Sequence, residues 1–388
     1  MIAVLIAQFL SALADNMLLF VILGLIKVQS VGDWATPVLQ QTFLIAYIVL
    51  APFVGAVADS NPKNRVMLLA NTLKLAGVLL LLVGGNAFLA YGIVGIGACV
   101  YSPAKYGILK EITGEARLVK ANAMIESSTI VAILVGVVLG GLLADKAVSQ
   151  GTFVYAFLII AATYLLASIS NLYIPHLKPE RNTGLSLSVL FKNFVVDFKV
   201  LWSDFTARVT LMGTSLFFGV GTTLRIWLIA WVPLALGTDD NQTPAILNAA
   251  VGLGIVVGSG IASQIPLSQA HRVLSAGIGM GIGTILLSTT SSLYMGFALL
   301  TLTGICGGIF LVPLNALLQN QGHNLVGGGH AVAIQNFVEN AMMLLMLSVY
   351  LGLVALGLSA ITIGFAFGGL VIVLMLALRL YARRRPMS

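Results

Sequence analysis

The chain has 388 residues, of which 59% are hydrophobic and only 9% are charged, whereas roughly a quarter of the residues in an average soluble domain are charged. The 20 basic and 13 acidic residues are too few to cover a soluble globule of this size, so most of the surface must face lipid. The net charge of +7 does not indicate nucleic-acid binding, because almost all of the charges lie between apolar runs.

Apolar runs of about 20 residues, the length that crosses a bilayer, recur along the chain. The first begins directly after Met1 without the shape of a signal peptide, and we interpret it as the first helix. Both cysteines lie inside apolar runs, so they predict no disulfide framework. The predicted spans lie near 2–30, 38–58, 66–84, 87–109, 118–144, 152–174, 209–235, 244–265, 273–290, 294–318, 326–356 and 358–380.

The basic residues between the spans predict the orientation of the chain. If the N-terminus is cytoplasmic, fourteen Lys and Arg lie on that side and only Lys27 and Lys146 lie on the other. The positive-inside rule therefore predicts that both termini are cytoplasmic, with Arg383–Arg385 as the last anchor.

The longest hydrophilic stretch divides the chain into an N-terminal six-helix bundle (1–174), a cytoplasmic linker (175–208) and a C-terminal six-helix bundle (209–388). Within the linker, apolar residues recur at helical spacing and predict an amphipathic helix. This helix either lies on the membrane surface or packs under the bundle. Its apolar positions are Leu187, Leu190, Phe194, Phe198 and Leu201.

The two halves align at an offset of 210 residues. This offset superposes Pro103 on Pro313, Glu126 on Asn336, and Asp15 on Arg225. Because each half has an even number of helices, the halves run parallel about a pseudo-two-fold axis along the membrane normal. The fold class is therefore predicted as an all-α polytopic membrane protein, with twelve transmembrane helices in two pseudo-symmetric six-helix bundles.

Seven charged residues lie inside predicted spans, where each costs at least about 2.5–3.5 kcal/mol unless it is paired or hydrated. We expect them to face an internal cavity. Lys74 has few polar neighbours at helical spacing, and we expect a structural role for it. The seven residues are Asp15, Lys74, Lys105, Lys120, Glu126, Arg225 and Glu339.

Asp15 and Arg225 carry opposite charges at equivalent repeat positions, near the middle of the first and seventh spans. In one interpretation Arg225 binds a substrate phosphate through its planar fork and Asp15 binds a cationic group. In the other, the two residues form a buried ion pair that locks the halves together.

The other intramembrane polar residues also allow two interpretations each. Lys105 and Glu126 either bind substrate or form an interhelical pair, and Lys120 either binds substrate or snorkels to the interface. A polar patch in the eleventh span forms either a wet cavity wall or a structural hydrogen-bond knot. The predicted substrate-binding set is Asp15, Asn16, Lys105, Lys120, Glu126, Arg225, Asn336, Glu339 and Asn340.

The loop Gly55–Arg65 carries Asp59 before a basic turn. We predict a conformational latch there, formed by Asp59, Arg65 and Arg117, in which Asp59 pairs with Arg117 or another cation in one conformation. No metal, nucleophile or nucleotide motif is recognisable in the sequence, so we expect no enzyme activity and no cofactor.

The same loop resembles the signature loop of the major facilitator superfamily, although Asn61, Pro62 and Asn64 depart from its usual core. Further segments resemble the bacterial lysophospholipid transporters of this superfamily over nearly the whole chain. They are Ala7–Asn16, Tyr101–Leu109, Leu118–Asn122, Gly221–Arg225, Val312–Gln319 and Gln335–Asn340.

The resemblance implies the major facilitator fold and a flippase that works by alternating access. It implies movement of lysophosphatidylethanolamine and lysophosphatidylglycerol from the outer to the inner leaflet of a Gram-negative inner membrane. A cytoplasmic-face acyltransferase/acyl-carrier-protein synthetase would then restore the second acyl chain. We further expect the protein to be a monomer that contacts membrane lipids. We expect no nucleic-acid partner.

Two other functions remain open at this point. The same fold would serve a proton-coupled exporter of amphiphilic drugs, in which Asp15, Glu126 or Glu339 carries the proton. Alternatively, the chain would be a membrane scaffold that docks a cytoplasmic enzyme through Pro175–Arg208. Uptake with and without a pH gradient separates the exporter from the lysophospholipid transporter, and the scaffold predicts little effect of neutralising the buried charges.

Overall fold

The computed structural model describes residues 1–30, 35–179, 187–238 and 242–384 of the chain. Each of the twelve predicted spans coincides with a helix in these ranges, and a further helix, α7, forms in the linker. The helices are α1 (Ile2–Val28), α2 (Ala35–Ser60), α3 (Lys63–Leu82), α4 (Ala87–Thr113), α5 (Leu118–Gln150), α6 (Val154–Leu172), α7 (Leu187–Ser203), α8 (Phe205–Leu236), α9 (Gln242–Ala262), α10 (Leu274–Thr289), α11 (Leu293–Leu325), α12 (Gly328–Ala355) and α13 (Ala360–Ala382).

Within the described ranges, nine helices are long and apolar enough to cross a membrane. They are α1, α3, α4, α5 together with the short turn before it, α6, α8, α11, α12 and α13. The remaining predicted spans correspond to α2, α9 and α10, which have shorter apolar stretches at Ile45–Ser60, Ile246–Ala262 and Leu274–Thr289.

Local sequence signals explain where two of these helices begin. Asp204 precedes α8 and accepts a hydrogen bond from the Ala207 backbone N–H at 2.8 Å. Ser359 caps α13 in the same way through the Thr362 backbone N–H at 3.2 Å. In both helices the side-chain oxygen satisfies a backbone donor that has no partner within the first turn.

The chain divides into two compact units that both draw residues from each sequence half. The first unit consists of Met1–Thr113, Val131–Val200 and Gly322–Phe337. In it α3 packs against α4 and α6, while α1 packs against α6, and α2 packs against α4. Its apolar core includes Met17, Leu18 and Tyr164, which are fully buried or nearly so.

The second unit consists of Gly114–Ile130, Leu201–Gln321 and Val338–Ser388. Here α13 packs against α10 and α8, and α8 packs against α9. Trp227 and Trp231 on α8 are completely buried, with their ring centroids 5.6 Å apart.

Helix α7 lies in the segment for which the linker sequence predicts an amphipathic helix. Leu190, Phe194 and Leu201 are buried, and the Phe194 ring meets the Phe337 ring of α12 edge-on at 5.6 Å. The predicted apolar face therefore packs against protein, as the second interpretation of the linker expects. The side chain of Leu187 lies outside the described residues, as do residues 180–186.

The division into 1–174, 175–208 and 209–388 stays a prediction about the sequence. The first compact unit takes the start of α12 from the second half, and the second unit takes the start of α5 from the first half. These exchanged segments carry several of the predicted site residues.

Candidate functional site

Asp15 lies in a polar cluster that α1, α3 and α6 build inside the first unit. Lys74 Nζ donates a hydrogen bond to Asp15 Oδ2 at 2.7 Å, and the Tyr164 hydroxyl donates to Asp15 Oδ1 at 2.6 Å. Both carboxylate oxygens are therefore held by donors from other helices. Hydrogen bonds of this kind, with one or both partners charged, are shorter and stronger than neutral ones.

Two further polar side chains complete this Asp15–Lys74 cluster. Lys74 Nζ also donates to Ser11 Oγ at 2.9 Å, and Ser11 Oγ donates to Asn71 Oδ1 at 2.8 Å. The Lys74 side chain is 2% exposed, whereas that of Asp15 is 19% exposed. The Asp15 side chain thus remains partly accessible while its cationic partner is enclosed.

Aromatic rings surround the Lys74 ammonium. Its Nζ lies 5.4 Å from the Tyr101 ring centroid and 5.9 Å from the Tyr164 centroid, within the range of cation–π attraction. Gly97 of α4 makes room for the lysine stem, because a Cβ at that position would lie 2.6 Å from Lys74 Cγ. Among the described residues, the buried Tyr101 hydroxyl and Asn71 Nδ2 have no hydrogen-bond partner.

The Asp15–Lys74 pair changes the expected partner of Asp15. The sequence repeat predicts Arg225 opposite Asp15 and a structural role for Lys74, whereas in the structure the cation bonded to Asp15 is Lys74. Sequence reasoning had no means of selecting Lys74, because the pairing depends on α1 and α3 being brought together by their common contact with α6.

Arg225 lies on the exposed side of α8. One turn earlier, a Cβ added to Gly221 would have no neighbouring atom within 4 Å. Trp227 and Trp231, on the opposite side of the helix, are buried. Within the described parts of the chain, the Arg225 side chain has no hydrogen-bond or ion-pair partner. A guanidinium in an apolar span costs at least about 2.5 kcal/mol unless water or a ligand solvates it.

The second unit joins the start of α5 to α11 through amide and carboxylate side chains. Asn122 and Gln319 exchange two hydrogen bonds, at 2.9 and 2.8 Å. One helical turn further along α5, Glu126 Oε1 accepts from Asn315 Nδ2 at 3.4 Å. All four side chains are buried.

The first unit contains an equivalent contact between the start of α12 and α4. Asn336 Nδ2 donates to Ser102 Oγ at 2.9 Å. The offset of 210 residues places Asn336 on Glu126 and α4 on α11, so the two contacts join corresponding helices. Their second partners are not equivalent, because the offset places Ser102 on Val312, one turn before Asn315. The agreement with the repeat is therefore between pairs of helices and not between pairs of side chains.

The remaining members of the predicted set occupy different environments. Lys105 is buried, and its Nζ lies 4.0 Å from the Tyr106 ring centroid. Lys120 is exposed near the start of α5, as the snorkelling interpretation expects. Asn16 donates to the Ala12 carbonyl of its own helix at 2.8 Å, and both Glu339 and Asn340 are buried on α12.

Asp59, at the end of α2, caps the first turn of α12. Its Oδ1 accepts from the Gly329 backbone N–H at 2.6 Å, and its Oδ2 accepts from the His330 backbone N–H at 3.0 Å. The His330 ring Nδ1 lies 2.6 Å from the same Oδ2. A carboxylate at a helix N-terminus is favoured by free N–H groups and by the helix dipole.

The contacts at Asp59 extend to α3, α4 and α7. Lys63 Nζ lies 4.0 Å from Asp59 Oδ1 and also forms an ion pair with Glu111. His330 Nε2 lies 3.9 Å from Asp197 Oδ2 of α7. These contacts and the Asp59 cap are called the α2–α12 latch below.

The latch in this structure uses partners other than the two predicted arginines. Arg65 and Arg117 are both exposed, and pairing of Asp59 with Arg117 in another conformation stays a prediction. The sequence pattern does not predict four latch residues, which are His330, Lys63, Glu111 and Asp197. The one available signal for His330 was its alignment with Lys120 in the repeat.

Within the described ranges, no group of three or more His, Cys, Asp or Glu side chains is arranged to hold a metal ion. The expectation that the chain needs no cofactor stays a prediction.

Comparisons with known proteins were made on the whole chain. The sequence profile described as Major Facilitator Superfamily matches residues 4–345. The chain is 46% identical to the lysophospholipid transporter LplT of Photorhabdus laumondii over 383 residues, which cover 98% of this chain and 95% of that protein. It is 49% identical over 388 residues to the protein of the same name from Enterobacter sp., with 99% and 96% covered.

Among solved structures, the Escherichia coli fucose:proton symporter aligns with a TM-score of 0.75, covering 100% of this chain and 98% of the symporter. The two sequences are only 14% identical, so this likeness concerns the fold alone.

Proposed function

The chain belongs to the major facilitator superfamily, as a multi-pass membrane protein with its twelve-helix fold, and we propose that it transports lysophospholipids. The proposal is supported by relatives named lysophospholipid transporter, which are 46% and 49% identical over almost the whole chain. Because those relatives are transporters, we propose a transport function without a catalytic reaction. The same relatives give no support to a drug exporter.

Arg225, exposed and without a partner among the described residues, is the observation that carries this proposal in the structure. A lysophospholipid combines one acyl chain with a phosphate, and a guanidinium binds a phosphate through two parallel hydrogen bonds. The acyl chain would lie along apolar helix faces, where it needs no polar partner. Asp15, whose side chain is 19% exposed, would bind the cationic group of the headgroup.

The other polar residues of the predicted set have graded roles in this proposal. Asn336 and Glu126 hold contacts between the sequence halves, and they would exchange these contacts for substrate when the halves separate. Lys105, Glu339 and Asn340 would line the path of the headgroup. Asn16 and Lys120 would contribute polar surface next to it.

Transport by alternating access requires the α2–α12 latch to open. The latch joins α2 of the first half to α12 of the second half. The basic loops predict that it lies on the cytoplasmic side, with both termini. We propose that the substrate enters from the outer leaflet and leaves to the inner leaflet of a bacterial inner membrane when the latch opens.

Delivery to the inner leaflet places the product where a cytoplasmic enzyme can restore its second acyl chain. We therefore propose functional coupling to an acyltransferase/acyl-carrier-protein synthetase at that face. A monomer suffices for this cycle, because the sequence repeat supplies both halves of the transport path.

A flipping assay in vesicles tests the proposal. Purified protein is reconstituted, labelled lysophosphatidylethanolamine or lysophosphatidylglycerol is added to one leaflet, and albumin extraction measures how much label remains accessible. We expect wild-type protein to flip both lipids and Arg225→Ala and Asp15→Ala to flip them at least about tenfold more slowly. Arg272→Ala, which removes an exposed arginine outside the membrane helices, serves as the control.

The proposal is contradicted if correctly inserted Arg225→Ala and Asp15→Ala proteins flip the lipids at the wild-type rate. Repeating the assay with an imposed pH gradient tests the drug-exporter alternative. A rate that depends strictly on the gradient would favour that alternative.

A further inference from the structure

The Asp15–Lys74 cluster has the composition of an ammonium-binding site, and the protein's own lysine occupies it. A carboxylate and two tyrosine rings surround the Lys74 ammonium. Carboxylates and aromatic faces are the groups that bind ammonium ions in proteins. Ligand ammonium groups, such as that of an ethanolamine headgroup, are recognised by the same chemistry.

Lys74 is fixed in this position. Its ammonium donates to Ser11 and Asp15, and its stem passes next to Gly97. The lysine is almost fully enclosed at 2% exposure, so its charge stays beside the carboxylate.

Asp15 nevertheless keeps room for another donor. A carboxylate accepts about four hydrogen bonds. Asp15 accepts one from Lys74 at Oδ2 and one from Tyr164 at Oδ1. The Asp15 side chain is 19% exposed. A headgroup that reaches this side chain meets an acceptor whose charge is already balanced by Lys74.

We propose that Lys74 determines headgroup tolerance, by balancing the charge of Asp15 so that lysophospholipids with and without an ammonium group both bind beside it. This inference rests on the proposed function. A carboxylate without a counter-ion would strongly attract an ammonium and repel the phosphate that every lysophospholipid carries. With Lys74 present, an ethanolamine ammonium and a glycerol hydroxyl both donate to the partly exposed Asp15 side chain.

The test compares two headgroups in one assay. Vesicles containing wild-type or variant protein receive equal amounts of labelled lysophosphatidylethanolamine and lysophosphatidylglycerol, and the ratio of their initial flipping rates is measured. We expect Lys74→Met to raise the ethanolamine-to-glycerol ratio about fivefold. Lys74→Arg keeps the charge and should keep the wild-type ratio.

A second pair of variants covers the case in which Lys74→Met fails to fold. Asp15→Asn leaves the Lys74 cation unbalanced, so it should lower the ethanolamine-to-glycerol ratio. The neutral double variant Asp15→Asn/Lys74→Met has no unpaired charge in the cluster, and it should raise the ratio above that of Asp15→Asn. Lys27→Met removes an exposed lysine at the end of α1 and provides the control.

A purely structural role for Lys74 would change both rates together and leave their ratio unchanged. The inference is overturned if removing Lys74 leaves the ratio unchanged in both backgrounds while wild-type protein flips both lipids. If wild-type protein flips neither lipid, the proposed function fails and this inference fails with it.

Discussion

Arg225 is the residue whose presence packing does not explain. It is exposed on an apolar helix and unpaired within the described residues, whereas Asp15 has two donors in its own unit. The two residues that the sequence repeat treats as equivalents therefore have different environments. Arg225 has no partner within the described residues, whereas Asp15 is paired with Lys74.

The first prediction concerns the shape of the Arg225 side chain. Arg225→Lys keeps the positive charge but loses the planar fork that binds phosphate with two bonds. We expect the apparent affinity for lysophosphatidylglycerol to fall about tenfold, measured from the concentration dependence of flipping. Arg272→Lys is the matched control, and unchanged affinity in Arg225→Lys would mean that a point charge is sufficient.

The second prediction concerns the hydroxyl that holds Asp15. Tyr164→Phe removes a donor to the carboxylate without changing the aromatic packing, so the free energy of unfolding should fall by about 1.5–3 kcal/mol. Unfolding of the purified protein in detergent measures the effect. Tyr155→Phe alters an exposed tyrosine of the same helix, 66% accessible, and an equal loss in that variant would contradict the prediction.

At the scale of elements, helix termini and side-chain spacing explain why the contacts fall where they do. The free backbone N–H groups at the start of α12 need acceptors, and Asp59 at the end of α2 supplies two. A side chain at position 329 would prevent this approach, because a Cβ there would lie 2.6 Å from Asp59 Oδ1. Gly329 is thus required by the latch itself.

The third prediction therefore concerns the α2–α12 latch. Asp59→Asn removes the charge that binds the α12 N-terminus, so the arrangement in which α2 and α12 are joined should become less populated. Spin labels at Arg65 and Asn324, both exposed within the first unit, would report a larger fraction of long distances. The control variant Asp145→Asn changes an exposed carboxylate elsewhere and should leave the distribution of spin-label distances unchanged. An unchanged distribution in Asp59→Asn would contradict the prediction.

Each compact unit contains the first turns of a helix from the other sequence half. The first unit contains the start of α12, and the second contains the start of α5. The start of α12 contacts α2 and α4 within the first unit, and the start of α5 contacts α11 within the second unit. Any transport cycle that separates the halves must break both sets of contacts. The contacts at Asp59, Asn336 and Asn122 are therefore part of the conformational equilibrium as well as of the fold.

The fourth prediction uses another contact between the halves. Lys110 Nζ of α4 donates to Asn324 Oδ1 of α11 in the first unit. In a Cys99→Ala/Cys306→Ala background, cross-linking Lys110→Cys to Asn324→Cys with a flexible thiosulfonate reagent should stop flipping, and reductant should restore it. The two single-cysteine variants, treated identically, should keep flipping, and undiminished flipping by the cross-linked protein would contradict the requirement for separation.

The linear sequence was sufficient to predict the membrane-spanning character and the twelve spans. Hydropathy and helical periodicity are local properties, so runs such as 152–174 identify a span without knowledge of its neighbours. The high cost of placing charges in lipid likewise marks Asp15 and Arg225 as exceptional wherever their helices lie.

Only the tertiary structure decided how these residues are paired. Lys74 bonds to Asp15, and Asp59 caps α12 at His330, although 59 and 271 positions respectively separate the partners in sequence. Such pairs depend on which helices are neighbours and how they are rotated, and helical spacing within one segment carries no information about either. The sequence therefore determined which side chains require polar partners, and the packing of α1, α3 and α6 and of α2 and α12 determined which partners they have.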